Sequence, residues 1–147
     1  MTSEPDFLDR KTYPFWYRER LRFSDTDMIG HVNNVAFAAL IESGRVHYTR
    51  SGVIQNMPDD MLVVMRRIEL DYRAELHWPA DVDVGSRLLR LGRTSFTVAN
   101  GVFDGALCAA TSITTLVVIG LSTRKPMPIP AIVRAGMQTY LVNTDAS

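Results

Sequence analysis

The sequence predicts an α+β fold in which an antiparallel β-sheet wraps around one long central α-helix. Apolar residues recur with the period of one helical face between Val35 and Arg50, and downstream the period changes to two over consecutive segments. With 147 residues and 46% hydrophobic content, the chain is expected to form one domain, 1–147, with a core over residues 15–142.

The first predicted elements are a strand and a long helix. The segment 15–23 reads FWYRERLRF, whose aromatic content and partial alternation are typical of a strand. The apolar face of the helix consists of Phe37, Leu40, Ile41, Gly44 and Tyr48. Because Ser43 and Gly44 are poor helix formers, their place in mid-helix indicates a close approach to a broad surface such as a sheet. Gly52 is expected to cap the helix in a left-handed conformation.

Four further strands are predicted after the helix. In the segment RRIELDYRA, Ile68 and Leu70 alternate with charged residues, so one side of this strand is wet. The next strands read VDVGSRLLRL, TSFTVANGVF and ALCAATSITTLVVIGL, with turns at Gly92-Arg93 and Asp104-Gly105. These strands predict an antiparallel meander. A proline-rich loop, RKPMPIP, then precedes a short terminal helix, AIVRAGMQTYL.

The central helix is apolar on nearly every side, which determines the expected architecture. A flat contact would leave Ala38, Ala39 or Val46 exposed, so the sheet must curve around the helix. This is the hotdog arrangement. One sheet on one helix leaves an edge and a face uncovered, so we expect a homodimer or homotetramer.

Composition excludes several classes of partner and compartment. Sixteen basic and sixteen acidic residues cancel, so we expect neither a nucleic-acid partner nor a membrane partner. The single cysteine, Cys108, cannot form an intrachain disulfide and is expected to pack as a small apolar residue. The segment MTSEPDFLDRK lacks the apolar core of a signal peptide, and TTLVVIGL is too short to cross a bilayer. A cytoplasmic location is therefore expected.

The stretch DTDMIGHVNNVAF, beginning at Asp25, carries a family resemblance. It resembles the D-x-D-x-x-G-x-V-x-x-x-x-[YF] signature of the 4-hydroxybenzoyl-CoA thioesterase-like hotdog enzymes, with the HVNN variant seen in many acyl-CoA thioester hydrolases. The segments IELDYRAEL, LGRTSFTVANGVFDG and STRKPMPIP resemble later landmarks of that family in the same order. The resemblance covers residues 15–142 and implies an acyl-CoA thioesterase that needs no cofactor.

The resemblance also implies roles for individual residues. The catalytic acid of the family falls on Asp27, and Asp25 becomes a loop organiser. The acyl pocket runs along the helix at a dimer interface. The oxyanion-binding and substrate-binding positions are Gly30, Val32, Asn33, Asn34 and Phe37, and the CoA-contacting positions are Arg93, Thr94 and Ser95. Phe37 replaces a tyrosine that is common in the family. Ile29 replaces an asparagine found in the plant acyl-ACP thioesterases, which share the HVNN variant.

These residue types suit thioester hydrolysis, which requires a base or nucleophile and a stabiliser for the developing oxyanion. Unpaired amides at a helix start bind a carbonyl oxygen, and Gly30 permits close approach of the backbone. Because a thiolate leaves easily, no Ser-His-Asp arrangement is required. Asp27 would either activate water or attack to form a mixed anhydride, and the sequence leaves both open.

Each candidate also has a purely structural interpretation. Asp25, Asp27, Asn33 and Asn34 are residue types favoured at helix caps and turns. His31 is either a turn residue or a group that orients substrate or water. Glu42 is either a helix carboxylate acting as base or the i,i+3 partner of Arg45.

Other polar residues give weaker indications. Basic side chains at strand ends and loops either solvate the sheet rim or bind the phosphates of CoA, and we choose Arg93 among Arg66, Arg67, Arg90, Arg93, Arg124 and Lys125. His47 and His77 lack metal-ligand spacing, so no metal site is predicted. Two rival functions are a hotdog hydratase or dehydratase and a non-catalytic acyl-thioester binding protein. The acyl group stays open.

Overall fold

Five antiparallel strands form one sheet in the computed structural model of the chain, which describes residues 4–145. The first three and last two residues of the predicted domain lie outside the described residues. The elements are β1 Phe15–Arg20, α1 Asn34–Tyr48, β2 Met61–Tyr72, β3 Asp81–Leu91, β4 Ser95–Asp104, β5 Leu107–Gly120 and α2 Ala131–Asp145. The first strand is shorter than predicted because residues 23–25 form a 3-10 turn that begins the loop before α1.

The strand order in the sheet is β1-β3-β4-β5-β2, so the predicted meander is correct only for β3 to β5. β2 pairs with β5 instead of β3, because β1 already occupies the edge of β3 over Asp81–Ser86. The two edge strands are therefore β1 and β2, and the loop after β2 carries the chain from one side of the sheet to the other.

α1 packs on the concave face of the sheet through the predicted apolar positions, all of which are buried. A Cβ atom at Gly44 would overlap the side chain of Val84 on β3, which confirms the close approach expected from that glycine. Further along, the Tyr48 hydroxyl accepts a hydrogen bond of 2.9 Å from the amide of Leu88. The sheet is thus fixed against the helix at two successive turns.

The expectation that α1 is buried on nearly every side is wrong for the single chain. Val35 is 73% exposed and Val46 is 40% exposed, and Ala39 and Glu42 lie on the same open side. The reason is that the sheet covers only the opposite side of the helix. We call Val35, Ala39, Glu42 and Val46 the open stripe of α1.

The C-terminal helix closes one end of the sheet. α2 begins directly after Pro130, as predicted, and extends beyond the predicted segment. Its residues Val133 and Met137 are buried with Tyr48 of α1. Gly52, after α1, adopts a φ of 142°, and a side chain there would strike Tyr140 of α2.

The outer face of the sheet holds a small aromatic cluster of Tyr13, Trp16 and Phe103. Cys108 packs against this cluster, and burial raises the pKa of its thiol. These contacts agree with the apolar role expected for it. Within residues 4–145, neither helix combines the length and apolarity that a membrane span requires.

Candidate active site

Asp25 organises the loop that leads into α1. Asp25 is 7% exposed, and its two carboxylate oxygens accept hydrogen bonds from the backbone amide of Arg22 at 2.8 Å and the Arg22 guanidinium at 3.0 Å. Its carbonyl oxygen accepts from both the amide and the side chain of Asn33, at 2.9 and 3.0 Å. These bonds hold the two ends of the loop together.

Asn33 is the N-cap of α1. Its side-chain oxygen accepts a hydrogen bond of 2.8 Å from the amide of Ala36, which satisfies one of the donors left unpaired at a helix start. This hydrogen bond directly supports the interpretation of Asn33 as a capping residue.

Asp27 lies exposed at the tip of the loop, and its carboxylate is held by one oxygen only. Oδ1 accepts from the amides of Ile29 and His31 at 3.0 and 3.1 Å. Gly30 closes this turn with a φ of 83°, a left-handed conformation that favours glycine. Among residues 4–145, Oδ2 has no hydrogen-bond partner. The turn thus fixes the carboxylate while leaving one oxygen open to a ligand.

Most amides of the predicted oxyanion segment are already used within the chain. They donate to Asp27 or to backbone carbonyls at 2.8–3.2 Å, and they belong to Gly30, His31, Val32, Asn33 and Phe37. The amides of Asn34 and Val35, the first two of α1, have no acceptor among the described residues. The donors left for a ligand at the positive end of the helix are therefore these two. The sequence interpretation included Asn34 and missed Val35.

A cavity of about 350 Å³ lies beside this helix start. Asp27, His31, Val32, Asn34 and Phe37 line one wall, so the structure brings these predicted residues together. The opposite wall comes from the end of β2 and the residues after it, Tyr72, Arg73, Ala74 and Glu75. The volume of the cavity is at the small end of the range for ligand pockets.

Sequence reasoning missed this second wall. Tyr72 donates a hydrogen bond of 3.1 Å to the carbonyl of Asn34, and its ring meets Phe37 edge-on at 5.5 Å between centroids. The signal was present in the segment IELDYRAEL, which includes Tyr72, but alternation alone does not indicate that this strand end adjoins the start of α1.

His31 lies at the rim of the cavity against the segment that follows β2. Its Nε2 is 3.3 Å from Oε2 of Glu75, and the same oxygen is 3.7 Å from Nε2 of His77. One ligand atom from each of the three residues lies within 4.8 Å of the others, a group suited to holding a cation. The sequence did not reveal it because His31 lies far from Glu75 and His77 along the chain and meets them only through the bridge between His31 and His77.

In the part of the chain that the structure describes, Glu42 is not one of the residues that line the Asp27 cavity. It is nine residues beyond Asn33, about 13 Å along the helix. It lies instead at a second pocket with Arg45 and the apolar residues Val46, Ile54, Val63, Met65, Phe96 and Leu116. The carboxylate of Glu42 is 3.9 Å from the guanidinium of Arg45, the i,i+3 contact that the sequence indicates.

Arg45 is the buried cation of this second pocket. It is 5% exposed and donates a hydrogen bond of 3.3 Å to the hydroxyl of Thr114. Burial lowers the pKa of the Arg45 guanidinium, and Glu42 acts in the opposite direction.

Of the predicted CoA-contacting residues, Arg93 and Thr94 lie in the turn between β3 and β4, and Ser95 is the first residue of β4. The Asp27 loop adjoins the start of β3, where the amide of Leu21 bonds to the carbonyl of Ala80 at 3.0 Å. The turn is at the other end of β3, ten residues and about 33 Å of strand away. Arg93 is exposed, and its guanidinium has no partner among residues 4–145. A single chain therefore keeps Arg93 and Asp27 apart.

The family assignment follows from a comparison with protein families. The model of the thioesterase-like superfamily matches residues 21–137, a span that includes the Asp27 loop, α1 and the whole sheet after it. The chain belongs to the thioesterase-like superfamily. Together with the observed topology, this membership confirms the hotdog fold predicted from the sequence.

Solved structures with this fold include proteins named as thioesterases. A thioesterase from Thermus thermophilus, complexed with coenzyme A and Zn, is 30% identical over 86% of this chain and 98% of that chain, with a TM-score of 0.73. A predicted thioesterase from Bacillus stearothermophilus is 26% identical over 86% of this chain and 95% of that chain, with a TM-score of 0.76.

The PA5185 protein from Pseudomonas aeruginosa PAO1 is similar in fold. It is 22% identical over 90% of this chain and 94% of that chain, with a TM-score of 0.79. Among curated proteins, none matches the chain significantly. Membership of the thioesterase-like superfamily and the thioesterase-named structures support thioester hydrolysis as the activity.

Proposed function

We propose that the chain is an acyl-CoA thioesterase that hydrolyses an acyl thioester to a free acid and a thiol, with Asp27 as the reacting carboxylate. One observation carries this proposal. The unpaired Oδ2 of Asp27 and the residue Asn34, whose amide is also unpaired, belong to the same cavity. A negative oxygen and helix-terminal donors on one cavity are what attack on a carbonyl requires.

In the proposed reaction, the thioester carbonyl oxygen accepts hydrogen bonds from the amides of Asn34 and Val35. The positive end of α1 stabilises the oxyanion as charge develops on that oxygen. Oδ2 of Asp27 either takes a proton from an attacking water or adds to the carbonyl carbon to give a mixed anhydride, which water then hydrolyses. In both routes the C–S bond breaks and the thiolate leaves with the electron pair. His31 orients the substrate or the water from the rim.

A homodimer completes the proposed site. A two-fold axis brings the same surface of two chains together, so the helix start of one chain can meet the distant turn of the other. The open stripe of α1 and the free edge of β2 are surfaces that such a contact would cover. In this arrangement, Arg93, Thr94 and Ser95 of one chain hold the CoA of a thioester whose acyl carbon lies at Asp27 of the other.

Coenzyme A is proposed as the thiol carrier for two reasons. The Thermus thermophilus thioesterase was solved with coenzyme A. In addition, the exposed guanidinium of Arg93 is free to form a paired hydrogen bond with a phosphate.

A thiol-release assay tests the proposed function. Acyl-CoAs that differ in chain length and aromaticity are incubated with the protein, and free thiol is measured over time. We expect catalytic turnover of at least one member, and a kcat at least about 100-fold lower for the Asp27→Asn variant. Saturable binding of the same panel without turnover would contradict hydrolysis and favour an acyl-thioester binding protein.

A further inference from the structure

We propose that His31, Glu75 and His77 form a binding site for one divalent transition-metal ion of the zinc class. The three side chains come from two segments of the chain and meet at the rim of the Asp27 cavity. The Glu75 oxygen is shared, at 3.3 Å from the His31 nitrogen and 3.7 Å from the His77 nitrogen. Asp27 is outside this group, and His31 is the one residue that the site shares with the proposed hydrolysis, so metal binding is tested without substrate.

The backbone prearranges the three ligands. His31 and His77 face each other in an antiparallel bridge, and the amide of Val32 donates to the carbonyl of Leu76 at 2.8 Å. Leu76 is 1% exposed, so its side chain anchors the segment in the core. Its neighbours Glu75 and His77 project to the opposite side, as alternate residues of an extended segment do.

The distances fit a metal ion with little adjustment. Ligand atoms around a tetrahedral zinc ion, with bonds of about 2.0 to 2.2 Å, are separated by roughly 3.3 to 3.6 Å. Two separations are already 3.3 and 3.7 Å, and the largest in the group is no more than 4.8 Å. Glu75 and His77 have side chains that are 64% and 60% exposed, so they are free to rotate over the remaining distance.

The ligand chemistry selects the ion. Two imidazoles and one carboxylate suit zinc, cobalt, nickel and copper, whereas magnesium and calcium prefer sites made of oxygen. Three protein ligands leave one position for water. An ion pair of Glu75 with protonated histidines is the metal-free alternative, and it would not depend on the identity of any metal.

Metal titration of the whole protein tests the site. Protein dialysed against a chelator is titrated with Zn²⁺ by calorimetry, and Co²⁺ binding is followed by visible absorption. The test variants are His77→Gln and Glu75→Gln. The matched control is His47→Gln, because His47 is also exposed but stacks on Tyr17 of β1, at 3.7 Å between ring centroids.

We expect one Zn²⁺ per chain for the wild type and for His47→Gln, with affinity at least about tenfold weaker in both test variants. Mg²⁺ should not compete. Equal Zn²⁺ affinity in the wild type and His77→Gln, or no saturable binding by the wild type, would overturn the proposal. Thermal melting without metal verifies that each variant is folded. Because no substrate is present, this result is separate from the outcome of the thiol-release assay.

Discussion

The two ends of α1 are surrounded by different functional groups. At the N-terminal end, two backbone amides and one oxygen of Asp27 beside a cavity have no partner within residues 4–145. At the C-terminal end, Arg45 is buried against Thr114 in a mainly apolar pocket, and the exposed Arg93 lies in the turn just before Phe96, which lines that pocket. In the function that we propose, the first end reacts with the carbonyl and the second recognises a long, anionic ligand.

This difference suggests why one chain is insufficient. About 33 Å of β3 separates the Asp27 loop from the Arg93 turn, although a thioesterase needs both functions around one substrate. In the dimer that we propose, two chains related by a two-fold axis would form two such sites, each with its reacting end from one chain and its recognition end from the other.

The largest expected effect is at the reacting end. Asp27→Asn should lower kcat by at least about 100-fold, the lower range for loss of a positioned base. Asparagine is nearly the same size and can still accept hydrogen bonds from the amides of Ile29 and His31 through its side-chain oxygen. The protein should therefore stay folded, and thiol release measured beside a thermal melt separates rate from stability.

Asp25→Asn is the matched control in the same loop. Asp25 is buried and bonded to Arg22 through both carboxylate oxygens, so the substitution should lower the free energy of unfolding by about 1 to 2 kcal/mol. Its kcat should stay close to that of the wild type. The reverse pattern, a folded Asp27→Asn enzyme with normal turnover, would remove Asp27 from the mechanism.

The next effect is at the recognition end. Arg93→Ala should raise the KM for acyl-CoA by about 10-fold to 100-fold, because a charged hydrogen bond to phosphate is worth roughly 1.5 to 3 kcal/mol. The KM for an N-acetylcysteamine thioester with the same acyl group should not change, since that substrate has no phosphate.

Arg18→Ala is the control for loss of an exposed arginine. Arg18 lies on the edge strand β1 and pairs with Asp83 at 2.9 Å. Its KM for acyl-CoA should equal that of the wild type. Equal losses by Arg93→Ala on both thioesters would mean that Arg93 supports the fold and not CoA binding.

The smallest effect is expected between the two ends, where α1 rests on the sheet. Gly44→Ala places a Cβ against the side chain of Val84 and should lower the free energy of unfolding by about 1 to 3 kcal/mol. Gly136→Ala, in α2, meets nothing within 4 Å and should raise it by up to about 1 kcal/mol through helix propensity. Urea denaturation of both variants checks the contrast. A stable Gly44→Ala protein would mean that helix and sheet are not tightly spaced.

Local patterns predicted the helix well because its signals are local. The apolar spacing from Phe37 to Tyr48 identified the buried face. Gly44 indicated a close contact with the sheet, and the structure shows that Val84 makes this contact. The place of β2 was not predictable in this way. Its alternation indicates a strand with one wet side, but the choice of β5 as partner depends on β1 occupying the edge of β3.

The candidate site was likewise predictable only where its residues are close together in the sequence. The acid loop was predictable because its residues are contiguous and match a family signature. The second wall of the cavity and the His31, Glu75 and His77 group were missed, because residues from 72 to 77 reach the loop only through the fold. Which amides stay unpaired depends on hydrogen bonds such as that from Val32 to Leu76, which join distant segments.

A mixed dimer tests most directly the claim that two chains share one site. Asp27→Asn and Arg93→Ala chains are co-expressed with different tags, and the heterodimer is purified and assayed by thiol release from acyl-CoA. If each site combines Asp27 of one chain with Arg93 of the other, one site carries both defects and the second carries neither. We therefore expect the heterodimer to have about half the wild-type kcat at the wild-type KM. A heterodimer that keeps the raised KM of Arg93→Ala would contradict it, because both residues would then act within the same chain.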